Sequence, residues 1–257
     1  MKYKKVLLTG ASGKLGQAIL KSKYFPSLLS PSHAQVDITD PMAIETFFHN
    51  NQVDALIHCA ALARMSECES NPREAIRANI IGTANLVMQV LKQEQGSGKK
   101  IRFVYISTDA VYPGKRGGYS ERGETIPYNK YGWSKLGAEC AVNMLSNFCI
   151  IRTSFFDPQN IKFSASASDA YSSKIEISYL VKAIAKMLKS DFIGTVNIGG
   201  PKKSDYLRYK EFKPSLKPTK LRNILQGVSF EMAKDASLNY SLWKELQKQK
   251  IGLKCTT

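Results

Sequence analysis

The stretch KYKKVLLTGASGKLG, residues 2–16, decides how the rest of the chain reads. A short apolar run (Val6, Leu7, Leu8) ends at Thr9, and glycines follow at Gly10, Gly13 and Gly16. Apolar residues then resume at helical spacing with Leu15, Ala18, Ile19 and Leu20. The pattern is strand, tight glycine turn, helix. Glycine serves such a turn because the backbone adopts unusual angles and approaches another group closely. Amides at the helix start carry partial positive charge, which suits a pyrophosphate. A glycine triplet alone also fits an ordinary strand-to-helix turn, and only the residues downstream of it separate the two.

A chain of 257 residues can bury one large α/β core with a smaller lobe, and 43% hydrophobic and 10% aromatic content mark it as globular. No apolar run approaches the roughly 18 residues that span a bilayer. The apolar run after Lys2, Lys4 and Lys5 is too short for a signal peptide. Cys59, Cys68, Cys140, Cys149 and Cys255 show neither pairing nor metal spacing, so no metal is expected and a reduced, cytoplasmic setting is the simplest. The formal net charge of +16 raises the question of nucleic acid. The lysines are scattered in small groups with no basic helix or arm, which argues against it.

Outward from the first helix, Leu28 and Leu29 read as a short second strand ending at Ser30, Pro31, Ser32 and His33. No carboxylate stands at that strand end, where an NAD-preferring fold holds ribose hydroxyls, so Ser30 and its surroundings lean towards NADPH over NADH. Asp40 reads as a helix cap with Pro41 in the first turn. VDALIHCAALA is a strand opening into small residues, Cys59, Ala60 and Ala61, against which a flat ligand can lie. NPREAIRANIIGTANLVMQVLKQ is one long amphipathic helix with polar Asn79 inside it, and IRFVYIS is the next buried strand. The β-α-β-α-β-α-β order predicts α/β architecture with a doubly wound parallel sheet.

That strand delivers Ser107, Thr108 and Asp109 at its carboxyl end. In the following helix Tyr131 and Lys135 are four apart and share a face. A phenol titrates near 10, and a neighbouring ammonium stabilises the phenolate and brings that value down towards working pH. A threonine hydroxyl completes the set by bonding the same substrate oxygen. A Tyr-x-x-x-Lys pair alone is common by chance; after a glycine-rich first turn and a Ser-Thr strand end, in that order, it is not.

TGASGKLG, HCAA, NPREAIRANIIGTANL, YISTDAVYPG and YGWSK together resemble the extended short-chain dehydrogenase/reductases, within them the dTDP-4-dehydrorhamnose reductase group. The resemblance is specific over residues 4–155 and weaker over 175–240. It implies a Rossmann-type sheet with a small C-terminal substrate lobe: residues 1–155 with 177–200 returning to the dinucleotide domain, and 156–176 with 201–257 forming the lobe. It implies Thr108, Tyr131 and Lys135 as the catalytic set. It also places Gly10, Ser12, Gly13, Lys14, Leu15, Asp37, Ile38, Cys59, Ala60, Ala61 and Asn79 along the cofactor. The implied reaction moves a hydride from NADPH (or NADH) to C4 of a nucleotide-linked 4-keto-6-deoxy sugar, with Tyr131 as proton donor. Related 4,6-dehydratases carry Asp-Glu after the threonine; here Asp109 precedes Ala110, which removes the second carboxylate.

Asp109 and Ser154 stand as candidate sugar contacts, and Arg152, with Lys202 and Lys203, as candidates to grip a diphosphate. A 4-epimerase with bound NAD and a non-catalytic dinucleotide-binding regulator stay open beside the reductase. The apolar faces of helices 75–93 and 131–146 are expected to pair into a homodimer.

Overall fold

The computed structural model describes residues 2–249. Five parallel strands form the central sheet in the order β1 (Val6–Thr9), β2 (Ala55–His58), β3 (Arg102–Ile106), β4 (Phe148–Thr153) and β5 (Gly194–Ile198). Beyond β1, the expected second strand is reduced to a single parallel bridge from Leu29 to Leu7. Leu29 exchanges backbone bonds with Val6 and Leu8, and the prolines at 26 and 31 stop the ladder from lengthening.

Side chains alternate across a strand, and the sheet uses that alternation to bury both faces. Val6, Leu8, Ile57, Val104, Ile151 and Val196 point to one side, where α1 (Lys14–Leu20) packs. Leu7, Leu56, Phe103, Tyr105 and Ile150 point to the other, against α2 (Pro41–Asn51), α3 (Gly82–Ser97) and α4 (Lys130–Val142). The α1 side also receives α5 (Ile177–Lys189) and α6 (Ser241–Lys248). The sheet is therefore doubly wound, as the element order predicts.

Local signals explain the boundaries. The Asp40 carboxylate accepts from Met42 N at 2.9 Å and Ala43 N at 3.3 Å, with Pro41 in the first turn of α2. The Asn129 side chain accepts from Gly132 N at 2.8 Å and starts α4. Gly98, at φ 67°, closes α3.

The long helix from Pro72 is not uniform. A four-residue turn (Pro72–Ala75) passes into a π-helical segment (Ile76–Ile81) before regular α3 begins. Asn79 sits inside that wider segment with its side chain bonded to groups outside the helix, the setting in which π turns recur. Likewise β4 runs to Thr153, so Arg152 lies within the strand and not beyond it.

The stretch 156–176, expected as part of the small lobe, contains short strands. Ala165–Ala167 pairs with Lys217–Thr219, and Tyr171–Ser172 pairs with Lys203–Ser204. The 250–257 end of the expected lobe, with Cys255, lies outside the described residues. Helix α6 returns to the main core: Trp243 is 2% exposed, and its indole N–H donates to the Tyr179 hydroxyl at 2.9 Å. Trp243→Ala is expected to cost about 3–5 kcal/mol in urea unfolding, the range for deleting a buried large aromatic side chain.

Candidate active site

The glycine turn packs directly on the end of β2. Gly10 has φ +72°, and a Cβ there would meet Ala60 N at 2.5 Å. A Cβ on Gly16 would meet Gly10 O at 2.2 Å, while Gly13 N donates to that same oxygen at 3.1 Å. Ser12, Gly13 and Lys14 are exposed above this turn, whereas Leu15 faces the core. Cys59, Ala60 and Ala61 are half-buried beside it and present little side-chain bulk. A bare turn next to small residues at two strand ends fits a dinucleotide, and a larger side chain at Gly10 or Gly16 would fill that space.

Below the turn runs a chain of buried polar groups. The Thr9 hydroxyl bonds His58 Nδ1 at 2.6 Å, and His58 Nε2 bonds the Thr83 hydroxyl at 2.9 Å. The Thr83 hydroxyl itself donates to Asn79 O at 2.7 Å, so His58 Nε2 carries the proton and Nδ1 accepts. Burial, with the Lys135 charge adding to it, pulls the His58 pKa down to about 3 and keeps the ring neutral. Asn79 bonds Leu62 N at 2.7 Å and Leu62 O at 3.0 Å, and donates to the Ser134 hydroxyl at 2.7 Å. Ser134 in turn donates to Tyr131 O at 2.8 Å. Asn79 therefore links the loop after β2 to the helix that carries Tyr131 and Lys135. Sequence reasoning misses His58, Thr9 and Thr83; a histidine closing an otherwise apolar strand is the available signal.

Thr108, Tyr131 and Lys135 converge at the carboxyl ends of β2 and β3. Burial raises the Tyr131 pKa above that of a free phenol, and the Thr108 hydroxyl, which reaches it, opposes that rise. Lys135 is 3% exposed, with its ammonium 4.1 Å from the centre of the Tyr105 ring. Burial lowers its pKa to about 7, against the pull of Cys59, Glu139 and Cys68. Among the described residues Lys135 has no ion-pair partner, so an anionic or polar ligand at this point would hold its charge.

The remaining predicted residues fall in two groups. Asp37 is half-buried; burial works against its ionisation, but Thr39 N and Oγ1, each donating at 2.8 Å, with His33 and Arg77 nearby, bring its pKa below the usual carboxylate value. Ile38 is buried, and a Cβ on Gly82 would meet its Cδ1 at 2.7 Å. Ser30 and His33 are exposed past the Leu29 bridge. Asp109 is buried next to Thr108, and Ser154 O accepts from Ile175 N at 3.0 Å just after β4.

Arg152 departs from its expected place at a diphosphate. It is 7% exposed, donates to Glu139 Oε2 at 2.6 Å and to the Tyr112 hydroxyl at 2.9 Å, and Ser107 donates to the same Glu139. The strand alternation that buries position 152 turns its guanidinium onto α4. Lys202 and Lys203 pair with Asp235 and Glu211. Among the described residues no group of three or more His, Cys, Asp or Glu side chains is placed to hold a metal ion, and no helix is long and apolar enough to cross a membrane. Arg152→Leu, which strands a buried Glu139 carboxylate, is expected to cost about 3–5 kcal/mol in urea unfolding, and adding Glu139→Leu is expected to recover most of it.

Known proteins are similar to this chain in sequence and in fold. The reductase Agl14 of Haloferax volcanii, named as a probable low-salt glycan biosynthesis enzyme, is 34% identical over 163 residues, 58% of this chain and 52% of its own. Methionine adenosyltransferase 2 subunit beta of Rattus norvegicus is 32% identical over 148 residues, 54% of this chain and 42% of its own. The chain thus spans about half the length of the curated relatives it matches. A crystal structure of dTDP-4-dehydrorhamnose reductase from Bacillus anthracis in complex with NADP superimposes with a TM-score of 0.83 at 24% identity, over 95% of this chain and 93% of that one. The profile of the RmlD substrate binding domain matches residues 4–168, more than half of the sequence. By that match this chain belongs to the RmlD substrate binding domain family.

Proposed function

We infer that the protein reduces the keto group of a nucleotide-linked 4-keto-6-deoxy sugar with NADPH. The observation that carries this reading is the convergence of Thr108, Tyr131 and Lys135 beside the glycine turn. NADPH, when bound, supplies the hydride. Gly10, Ser12, Gly13, Lys14 and Leu15 would hold it at the turn, with Asp37, Ile38, Cys59, Ala60, Ala61 and Asn79 alongside. One feature favours NADPH over NADH: the exposed strand-end residues Ser30 and His33 are not carboxylates.

The chemistry then follows from charge. As a carbonyl oxygen gains negative charge it needs a donor already in place, and the Thr108 hydroxyl and Tyr131 phenol are the two that meet here. Tyr131 gives its proton to the forming alkoxide. A phenol with a raised pKa is reluctant to leave a phenolate, and the Lys135 ammonium four residues on stabilises that phenolate. Burial brings the Lys135 pKa down to about 7, and a bound anionic ligand would hold its charge. Asp109 and Ser154 form the sugar side of the site.

NADPH consumption with dTDP-4-keto-6-deoxyglucose, with and without a 3,5-epimerase and against NADH, tests the reading. Tyr131→Phe is expected to lower kcat by at least ~100-fold while NADPH still binds, as loss of a general acid predicts. Turnover that survives Tyr131→Phe would refute the assignment. Cofactor binding without consumption of any keto sugar would favour a regulatory role, and NAD retained through purification would favour an epimerase.

The same reading includes a homodimer through α3 and α4. On α4, Trp133 is 52% exposed and Cys140, seven residues on, is exposed on the same face; Met144, just past the helix end, is 74% exposed. Ile76, Ile81 and Met88 are 49%, 46% and 56% exposed on the adjoining helix. Gly137 lets the two helices approach, since a Cβ there would meet Ile80 Cδ1 at 2.8 Å. A short bismaleimide is expected to cross-link two chains through Cys140, and Trp133→Glu is expected to abolish that product and give a monomer in sedimentation. A wild-type chain that sediments as a monomer at micromolar concentration would rule this interface out.

A further inference from the structure

Tyr105 is placed by its strand. Side chains alternate along β3, so Phe103 and Tyr105 face α4 while Val104 faces away from it. In the parallel register Tyr105 lies opposite His58 of β2, and the two rings sit side by side with centres 5.4 Å apart and planes 32° apart. Phe103 meets the same imidazole edge-on at 6.0 Å. Thr9 and Thr83 hold that imidazole from both nitrogens, so Tyr105, itself fully buried, leans on a ring that is already fixed.

Helix α4 turns Ser134, Lys135, Ala138 and Glu139 inwards, and Lys135 Nζ comes to rest over the Tyr105 ring, 4.1 Å from its centre. An aromatic face carries the negative part of the ring quadrupole and attracts a cation at that distance. The other groups around the ammonium are neutral or bonded elsewhere. His58, on β2, is kept neutral by burial. Burial pushes the thiol of Cys59, after β2, up to about 12, and that of Cys68, on the short helix Met65–Ser70, up to about 11, so both keep their protons at neutral pH. Glu139, one turn along α4, is taken by Arg152 and Ser107. Tyr131, one turn earlier, keeps its phenol proton because burial raises its pKa. Burial likewise holds the Tyr105 phenol well above its usual value, and its hydroxyl comes near Thr83 without making a hydrogen bond among the described residues. The pull on Lys135 is therefore that of the ring face and not of a phenolate.

We propose that Tyr105 is a positioning residue: its ring face holds the Lys135 ammonium in place and so acts on proton donation by Tyr131 through Lys135. For its effect on turnover the proposal rests on the reductase reading. A carboxylate partner would occupy the ammonium donors, whereas a ring face attracts the charge and leaves the N–H groups free for a ligand. The face favours the charged form, so Lys135 keeps its proton to a higher pH than it would against an aliphatic side chain. Burial works in the other direction and brings the Lys135 pKa down to about 7. Weakening the face lowers that value further, and with it the pH above which Tyr131 loses its charged neighbour.

Phenylalanine and its mono-, di- and trifluorinated forms, placed at position 105 of the full chain, keep the shape of the ring and weaken its face in steps. The Lys135 titration is read by NMR of protein labelled with ¹³C at the lysine ε-carbon, with Lys135→Arg to assign the signal; exposed lysines titrate near about 10.4 and stand apart from it. Tyr105→Phe is expected to leave the midpoint within ~0.3 pH unit, since the face stays and only the hydroxyl goes. From phenylalanine to the trifluorinated form the midpoint is expected to fall stepwise by ~0.5–1 pH unit, and Tyr105→Leu to lower it similarly. A midpoint that stays flat across the fluorinated series overturns the proposal, even if Tyr105→Leu unfolds, because that loss is then one of packing. In NADPH oxidation with a 4-keto-6-deoxy sugar nucleotide, the limb of kcat that falls with rising pH is expected to move to lower pH in the same order. A limb that stays in place while the titration moves overturns the role in proton donation. Fluorinated proteins whose Lys135 titration moves while no form of the chain reduces any keto sugar overturn the reductase reading, and the hold of the ring on Lys135 stands.

Discussion

A neutral imidazole holds the candidate active site of this protein together. His58 accepts from Thr9 of β1 and donates to Thr83 of α3, so one ring ties the glycine turn, the second strand and the long helix into a single unit. The ring serves this purpose because burial strips it of charge: a histidine that stayed cationic there would donate from both nitrogens and lose the bond from Thr9. From Thr83 and Asn79 the bonds continue to Ser134 and the Tyr131 backbone. The position of Tyr131 relative to the turn thus depends on polar groups that water never reaches, where each lost partner costs more than it would at the surface.

Charge is handled differently on the two sides of the site. Glu139 and Arg152 are paired with bidentate geometry, with Ser107 and Tyr112 satisfying what is left, and their burial is a structural matter. Lys135 and Asp109 are buried without such partners of their own, and both have pKa values displaced towards neutrality, to about 7 and about 6. Displaced pKa values of this kind cluster at functional sites, and buried structural groups such as His58 carry them too. Lys174 pairs with Asp205, the first residue of a short helix (Asp205–Lys210), and its charge opposes the rise that burial causes at Asp109.

Much of this was legible in the chain. The strand–glycine turn–helix at residues 2–20, the Asp40 cap with Pro41, the close of the long helix at Gly98 and the start of α4 are local signals, and local chemistry decides them. Thr108, Tyr131 and Lys135 were visible because the chemistry they suggest needs those residue types in that order. Arg152 was misread because its meaning depends on strand alternation and on a glutamate thirteen positions earlier, on another element. The short strands in 156–176 were missed because each has two or three residues and exists only by pairing with 155–156, 203–204 or 217–219.

The amino-acid sequence by itself determined the order of elements, the need for glycine at the first turn and the residue types available for proton transfer. Those follow from backbone conformation and side-chain chemistry, which act over a few residues. Tertiary structure alone decided which polar groups are brought together: His58 with Thr9 and Thr83, Arg152 with Glu139, Lys174 with Asp205. Charge and tautomer depend on solvation and on neighbours, and only the folded chain fixes either one.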